Sequence, residues 1–184
     1  MNKLFFTVIS FFLLISFSST PFADKVNTSY GKGALERASG SANTAFGGYA
    51  AQANTTGYDN TAVGYVALQL NKTGSKNTAV GICALGSMTK GERNTAVGNG
   101  ALCLMKNGSR NAAFGNSALL KNLGSYNSAF GADALESNTS GNRNSAVGSE
   151  ALKYLKTGKF NTAIGAYAGW RNVTGSSNVF IGYK

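Results

Sequence analysis

The sequence predicts an all-β fold, a parallel β-solenoid of about ten coils. The phrase Asn-Thr-Ala-Val-Gly at residues 60–64 returns, with small variations, nearly every 17 residues. A fixed short period is typical of stacked units that contact only their neighbours. Glycine occurs 24 times and proline once, and glycine at a regular phase suits a chain that must turn sharply in every unit.

Each repeat is numbered here from its asparagine, which is position 0, so that Gly64 lies at position +4 of the repeat that begins at Asn60. A weaker copy begins at Asn27. The position 0 residues are Asn43, Asn60, Asn77, Asn94, Asn111, Asn127, Asn144, Asn161 and Asn178. The position +4 residues are Gly31, Gly47, Gly64, Gly81, Gly98, Gly115, Gly131, Gly148, Gly165 and Gly182. We interpret the asparagines as a ladder between coils or as turn-forming residues, and both columns as structural.

Each repeat contains two short apolar runs separated by glycines. The first run, Thr-Ala-Val at +1 to +3, predicts a strand whose +3 residue fills the core. The second run, Ala-Leu at +7 and +8, predicts a second strand. We expect positive φ at two corners, one at +4 and one near +14, where Gly57 and Gly74 are examples. Regular glycines cost about 1 kcal/mol each inside a helix, which disfavours a helical array.

The first 23 residues are typical of a secretory signal peptide. Lys3 precedes an apolar run from Leu4 to Phe17, and Ser18, Ser19, Thr20, Pro21, Phe22 and Ala23 follow. The run is shorter than the roughly 20 residues that a membrane span needs, although an uncleaved anchor is the alternative. We therefore expect an exported chain, secreted or at the cell surface, in which residues 24–184 form the repeat domain without a membrane span. The exact cleavage bond stays open.

Two cysteines in an exported protein suggest a disulfide, but their phases argue against one. Cys83 lies at +6 of its repeat and Cys103 at +9 of the next. In an extended chain the two positions would be roughly 10 Å apart, more than a disulfide tolerates. We therefore favour two buried thiols that act as small apolar residues.

The composition argues against catalysis, cofactors and metals. Histidine is absent, so an ordinary Ser-His-Asp triad cannot form, and two cysteines alone are too few ligands for zinc. The acidic residues fall at scattered phases, and no carboxylate pair suited to acid and base chemistry is visible. The sequence therefore predicts a protein that is not an enzyme.

Basic residues collect around the turn before each asparagine. The chain has a net charge of +10, and stacked coils would align these residues into a basic stripe. The candidate polyanion-binding residues are Lys72, Lys76, Lys90, Arg93, Lys106, Arg110, Arg143 and Lys156. Sulfated glycans, lipopolysaccharide or nucleic acid would suit such a stripe, and simple solubility is the alternative.

The +1 column, which includes Thr44, Thr61 and Thr78, resembles the threonine ladders of ice-binding proteins, although a paired threonine column is missing.

Trp170 stands near the end of the repeats, and it is interpreted as a cap of the last coils or a contact with another chain.

The repeated pattern, Asn-Thr/Ser-Ala-Val/Ile/Phe-Gly followed by Ala-Leu and a later glycine, resembles the head repeats of YadA-like trimeric autotransporter adhesins. The resemblance covers residues 27–184. It implies a left-handed parallel β-roll, a homotrimer, and binding to host matrix or cell-surface ligands. We do not expect the family's coiled-coil stalk and membrane anchor. The 17-residue repeat is longer than the family's usual unit, which leaves the layout of strands open.

A thin solenoid also gives a physical reason for association. Each coil carries about two sizeable apolar side chains, worth roughly 1.5–3 kcal/mol apiece, against about 1–2 kcal/mol per residue for ordering the backbone. We therefore expect several chains to associate along the rod, which would cover an exposed, alanine-rich face. An exported adhesin-like surface protein and a purely structural repeat protein of a surface or fibre assembly are the two leading functions, with ice binding third.

Overall fold

A computed structural model describes residues 26–184, and the predicted signal peptide lies outside the described residues. Ten parallel strands of three residues each form one sheet in chain order, and no helix occurs in this part of the chain. The strands are β1 (Thr28–Tyr30), β2 (Thr44–Phe46), β3 (Thr61–Val63), β4 (Thr78–Val80), β5 (Thr95–Val97), β6 (Ala112–Phe114), β7 (Ser128–Phe130), β8 (Ser145–Val147), β9 (Thr162–Ile164) and β10 (Val179–Ile181). The predicted parallel β-solenoid is confirmed.

Every strand occupies positions +1 to +3 and pairs in register with the same positions of the next coil. Thr61, for example, pairs with both Thr44 and Thr78. The repeat from Asn111 to Asn127 is 16 residues long. It does not disturb this register, because Ala112 still pairs with Ser128. The missing residue lies in a loop, and every column of the sequence repeat therefore becomes a column in space.

The alanine column at +2, and not the column at +3, faces the core. Ala62 is fully buried, whereas Val63 is 37% exposed and Phe130 41% exposed. The prediction that the +3 residue fills the core is therefore wrong. Successive side chains of a strand point to opposite faces, so that positions +1 and +3 share the outward face and the methyl group of +2 points inward.

The second apolar run does not form a strand, and this prediction is also wrong. Positions +5 to +10 form successive turns in which positions +6 and +8 have positive φ, as at Val66 (54°) and Leu68 (51°). Leu68 is nevertheless fully buried, and its N–H donates to the carbonyl of Ala84 in the next coil at 2.9 Å. A left-handed conformation costs a non-glycine residue roughly 1–2 kcal/mol, which burial of the leucine and the bond between coils offset.

The two glycine columns serve different purposes. At +4 the expected positive φ is present, with Gly64 at 132°. At +14 the prediction of positive φ is wrong for most members: Gly91 has a φ of 139°, whereas Gly74 lies outside the left-handed region. A Cβ atom on Gly74 would collide with Asn71 Oδ1 and with the carbonyl oxygen of Gly91. Close approach between coils therefore requires this second column.

The position 0 asparagines form the predicted ladder between coils. Asn94 Nδ2 donates to Asn77 Oδ1 at 3.0 Å and to the carbonyl of Gly108 at 2.9 Å. Asn94 Oδ1 in turn accepts bonds from the backbone N–H and the Nδ2 of Asn111, at 3.0 and 3.1 Å. The side chain is fully buried, and the ladder therefore satisfies polar groups that would otherwise be costly in the interior.

A second buried asparagine column lies at +11, and sequence reasoning missed it. Both Asn60 (position 0) and Asn71 (position +11) donate from Nδ2 to the carbonyl of Gly74, at 2.8 and 2.9 Å. The column comprises Asn54, Asn71, Asn122, Asn138 and Asn172, and Met88, Met105 and Leu155 replace asparagine in three coils. These replacements obscured the periodicity that could have revealed it. Asn138 Oδ1 has no hydrogen-bond partner, consistent with Leu155 in the next coil offering no donor.

Cys83 and Cys103 form a disulfide with a Cα–Cα distance of 5.4 Å, so the prediction of free thiols is wrong. The estimate of their separation assumed an extended strand, whereas positions +5 to +10 form turns. Gly86 N–H donates to the carbonyl of Cys83, and Ser87 N–H donates to the carbonyl of Cys103, both at 3.0 Å. These bonds fold the segment after Cys83 back and place Cys103 beside it.

Replacement of Asn94 by leucine tests the ladder. The change leaves the carbonyl of Gly108 and the backbone N–H of Asn111 unpaired in the interior, and each such group costs about 1–3 kcal/mol. We expect the free energy of unfolding, measured by urea denaturation, to fall by about 3 kcal/mol. The control is Leu155→Met, a buried change of similar volume at a side chain that forms no hydrogen bond, which should cost less than about 1.5 kcal/mol. Equal losses in the two variants would contradict the ladder's role.

Simultaneous replacement of Cys83 and Cys103 by serine tests the disulfide. The crosslink closes a loop with a sequence separation of 20, and its loss should lower the free energy of unfolding by about 3 kcal/mol. Addition of a reductant should destabilise the wild-type protein and leave the variant unchanged. Alkylation of the unfolded, unreduced protein followed by mass measurement should add no label, and addition of two labels would show that the thiols are free.

Candidate functional surfaces

The residues immediately before the asparagines, at position +16, form an exposed column along one side of the rod. Each has positive φ, with Lys76 at 60° and Arg93 and Arg110 both at 57°. The N–H of Arg110 donates to the carbonyl of Glu92 at 2.9 Å, and the N–H of Lys76 to that of Tyr58 at 3.0 Å. Backbone bonds between coils therefore fix the spacing of these side chains, whatever their chemistry.

Aromatic residues interleave with the cations of this column. Arg110 Cζ lies 5.2 Å and Arg143 Cζ 5.3 Å from the ring centre of Tyr126, and Arg143 Cζ lies 5.5 Å from that of Phe160. The four residues occupy consecutive coils, and we call them the cation–ring ladder. Nearer the N-terminus, Lys76 Nζ lies 5.7 Å from the ring centre of Tyr58. The rings were not singled out from the sequence, although their phase in the repeat could have revealed them.

Arg93 differs from its neighbours in this column. Its Nη1 lies 3.6 Å from Glu92 Oε2, and both side chains are about half exposed. Such an exposed ion pair contributes little to stability, but it partly neutralises the column at this coil. Asp59 occupies the same position one coil before Lys76, so the unbroken positive stretch begins at Lys76.

The remaining candidate cations lie in the loop before the +14 glycine. Lys72, Lys90, Lys106 and Lys156 are all exposed. Their backbone is held from the preceding coil, as where Thr139 Oγ1 donates to the carbonyl of Lys156 at 3.0 Å. Within residues 26–184 none of these four lysines makes a cation–ring contact. The structure thus presents two basic sets: the +16 cations, of which Lys76, Arg110 and Arg143 contact a ring, and the loop lysines, which do not.

Three carboxylates surround Lys153, which corrects the expectation that the acids are scattered. Asp133 and Glu150 both occupy position +6 in adjacent coils, and Lys153 Nζ lies 3.1 Å from Asp133 and 3.3 Å from Glu150. Glu136 lies 4.0 Å from the same nitrogen. Burial lowers the pKa of Lys153, but the hydrogen bonds and charges of Asp133 and Glu150 outweigh it and hold the pKa above its ordinary value. The lysine therefore ties two coils together.

No group of three or more His, Cys, Asp or Glu side chains in residues 26–184 is arranged to hold a metal. The three carboxylates are instead partly neutralised by Lys153 between them and by Lys121, whose Nζ lies 3.4 Å from Glu136 Oε1. The arrangement is an ion-pair network at the surface of the turn.

The outward face of the sheet carries a second candidate surface. We define the outer apolar column as the +3 residues Phe46, Val63, Val80, Val97, Phe114, Phe130, Val147 and Ile164. The rings of Phe114 and Phe130 stack with centres 4.9 Å apart. The +1 residues, mostly threonine and serine, lie beside this column, which therefore replaces the alanine-rich face expected from the sequence. On this face the column beside the threonines carries valine, phenylalanine or isoleucine, and not a second set of threonines.

Aromatic residues gather at the last coils. Trp170 lies with its ring centre 5.8 Å from that of Tyr154 and 6.3 Å from that of Tyr167, and Arg171 Cζ lies 4.8 Å from the Trp170 ring centre. The core beneath is completed by an exchange of sizes: Gly169 replaces the usual leucine at +8, and Phe180 replaces the usual alanine at +2 and packs against Gly169. Phe180 therefore fills the core of the last coil. The sequence had suggested that Trp170 caps the last coils or contacts another chain.

Comparison of the sequence with models of known protein families gives no match, and comparison with curated proteins gives no match either. Residues 26–184 contain no helix that is long and apolar enough to cross a membrane.

Proposed function

We propose that this chain is a non-enzymatic, exported surface protein, adhesin-like in role, whose rod binds anionic polymers on host or cell surfaces. The observation that carries the proposal is the exposed +16 column, in which Lys76, Arg93 and Arg110 follow one another in consecutive coils. Like charges about 5 Å apart repel by nearly 1 kcal/mol even at the dielectric of water. A folded rod that holds them in line suits an anionic partner, which would relieve this repulsion.

The resemblance to YadA-like head repeats supports the same role. A parallel solenoid with one repeat per coil is the kind of architecture that the resemblance implies, and the left-handed winding and the homotrimer remain parts of the proposal. The anionic groups in question are those of sulfated glycans, lipopolysaccharide or a charged matrix. Ice binding is less favoured, since the outward face pairs threonine with large apolar side chains.

The outer apolar column favours assembly, either as a trimeric head or, as a second candidate function, as a purely structural element of a surface or fibre. Phe46 is 42% exposed and Ile164 47% exposed, and the column runs along the sheet. Large contiguous apolar patches on soluble proteins commonly mark interfaces. Burial of this column between chains would also thicken the narrow core of each coil.

Salt-dependent binding to immobilised heparin tests the polyanion proposal. The affinity of the wild-type protein should fall linearly on logarithmic axes as salt rises, because binding releases counterions. Replacement of Lys76 and Arg93 by serine should weaken binding and flatten that slope. Replacement of Lys32 and Arg37, which are exposed cations outside the column, is the control and should change binding less. Failure of the wild-type protein to bind, or binding that ignores salt, would reject the proposal.

The mass of the protein in solution tests the assembly proposal. We expect three chains for the wild type and one chain for the double variant Val97→Lys/Phe130→Lys, since lysines in the outer apolar column would be buried without partners. The double variant Ile82→Lys/Leu104→Lys changes two apolar residues that are 53% and 48% exposed elsewhere on the surface, and it should stay trimeric. A wild-type monomer would contradict the homotrimer.

A further inference from the structure

The cation–ring ladder, Arg110, Tyr126, Arg143 and Phe160, alternates cations and rings over four consecutive coils. The Tyr126 ring receives Arg110 from the preceding coil and Arg143 from the following coil, at 5.2 and 5.3 Å from its centre. Arg110 Nη1 also donates a hydrogen bond to the Tyr126 hydroxyl. The ring thus holds two guanidinium groups in place from opposite sides.

These contacts restrict the side chains of Arg110 and Arg143 before a ligand binds. An exposed arginine ordinarily loses rotamer freedom when it binds, which reduces affinity. A guanidinium carries five N–H donors, and the Tyr126 hydroxyl accepts a bond from one nitrogen of Arg110. Because the four side chains are all exposed, the ladder offers two oriented donor groups suited to bidentate bonds with a carboxylate or sulfate.

The spacing of the two arginines narrows the choice of ligand. Arg110 and Arg143 lie two coils apart, which is on the order of 10 Å at the spacing of neighbouring strands. Each sugar of an extended pyranose chain advances by a distance similar to that strand spacing. A chain with one acidic group per disaccharide would therefore present its charges in step with the two arginines.

The Tyr126 ring argues against single-stranded nucleic acid as the ligand. Proteins bind such strands by stacking bases on open aromatic faces, whereas cations from both neighbouring coils already contact the Tyr126 ring. In the adjacent +15 column, the hydroxyls of Ser109 and Ser125 accept backbone N–H bonds from the preceding coil and keep an O–H to donate, and the Lys159 ammonium is exposed. Such groups suit the hydroxyls and acids of a polysaccharide.

We infer that the cation–ring ladder is a binding site for an acidic polysaccharide with one acidic group per disaccharide, lying parallel to the solenoid axis. This inference rests on the proposed function and adds to it the residues, the polymer class and the direction of binding. The loop lysines attract any anionic polymer, while the ladder favours a polymer whose acidic groups match the spacing of its two arginines.

Fluorescence anisotropy with labelled hyaluronan oligosaccharides of four, six and eight sugars tests the inference. Hyaluronan carries one carboxylate per disaccharide. We expect Tyr126→Leu, which keeps the charge, to weaken binding by about fivefold or more, as the loss of two cation–ring contacts implies. Tyr65→Leu, which removes an exposed tyrosine elsewhere, is the control and should bind within about twofold of wild type. Tyr126→Phe keeps the ring but loses the hydroxyl that accepts a bond from Arg110, and it should bind more weakly than the wild type and more tightly than Tyr126→Leu.

The outcomes separate the inference from the proposed function. Thermal unfolding of each variant identifies any loss of binding caused by misfolding, and wild-type binding by Tyr65→Leu together with weak binding by Tyr126→Leu supports the ladder. If the wild type binds heparin and hyaluronan but Tyr126→Leu binds equally well, general charge explains binding and the inference is overturned while the proposed function stands. A thymidine oligonucleotide of matched charge that binds as tightly as the octasaccharide also overturns it. No binding to any polyanion rejects both.

Discussion

The solenoid depends on a buried side-chain amide that repeats once per coil. Within the stack, a position 0 asparagine accepts bonds from the next coil and donates to the preceding coil and to the carbonyl of the glycine near +14, as Asn60 does with Asn77, Asn43 and Gly74. An amide left unpaired in the interior would be costly. The ladder therefore fixes the vertical register of the coils, and the strands, turns and surface columns inherit that register.

The narrow interior explains most of the other choices. The interior holds the alanines at +2 and +7, the leucines at +8, the position 0 asparagines and the +11 residues, and Ala62, Ala67 and Leu68 are all fully buried. Closure of so small a loop demands left-handed backbone at +6 and +8, and it leaves no room for a valine to point inward at +3. The large apolar residues of the strands are consequently displayed on the outside.

The same register turns individual surface residues into ordered columns. Arg110 and Arg143 lie in line with Tyr126 because each of the three immediately precedes an asparagine. Asp133 and Glu150 lie in neighbouring coils on one side because both occupy position +6. A single substitution in one repeat thus changes what the residues at the same position of the preceding and the following coil contact. Substitutions at one position of the repeat can give such a surface affinity for a ligand, because the backbone bonds between coils keep the spacing of the side chains constant.

The sequence by itself determined the all-β solenoid, its period, the asparagine ladder and the +4 corner, because these features recur at one phase in nearly every repeat. It also located Lys76, Arg93, Arg110 and Arg143 before their asparagines. Only the tertiary structure decided that +3 faces outward, that the Ala-Leu run turns, and that Cys83 meets Cys103. These depend on φ at +6 and +8, where valine, cysteine and leucine adopt a conformation that their own propensities disfavour and that packing between coils imposes.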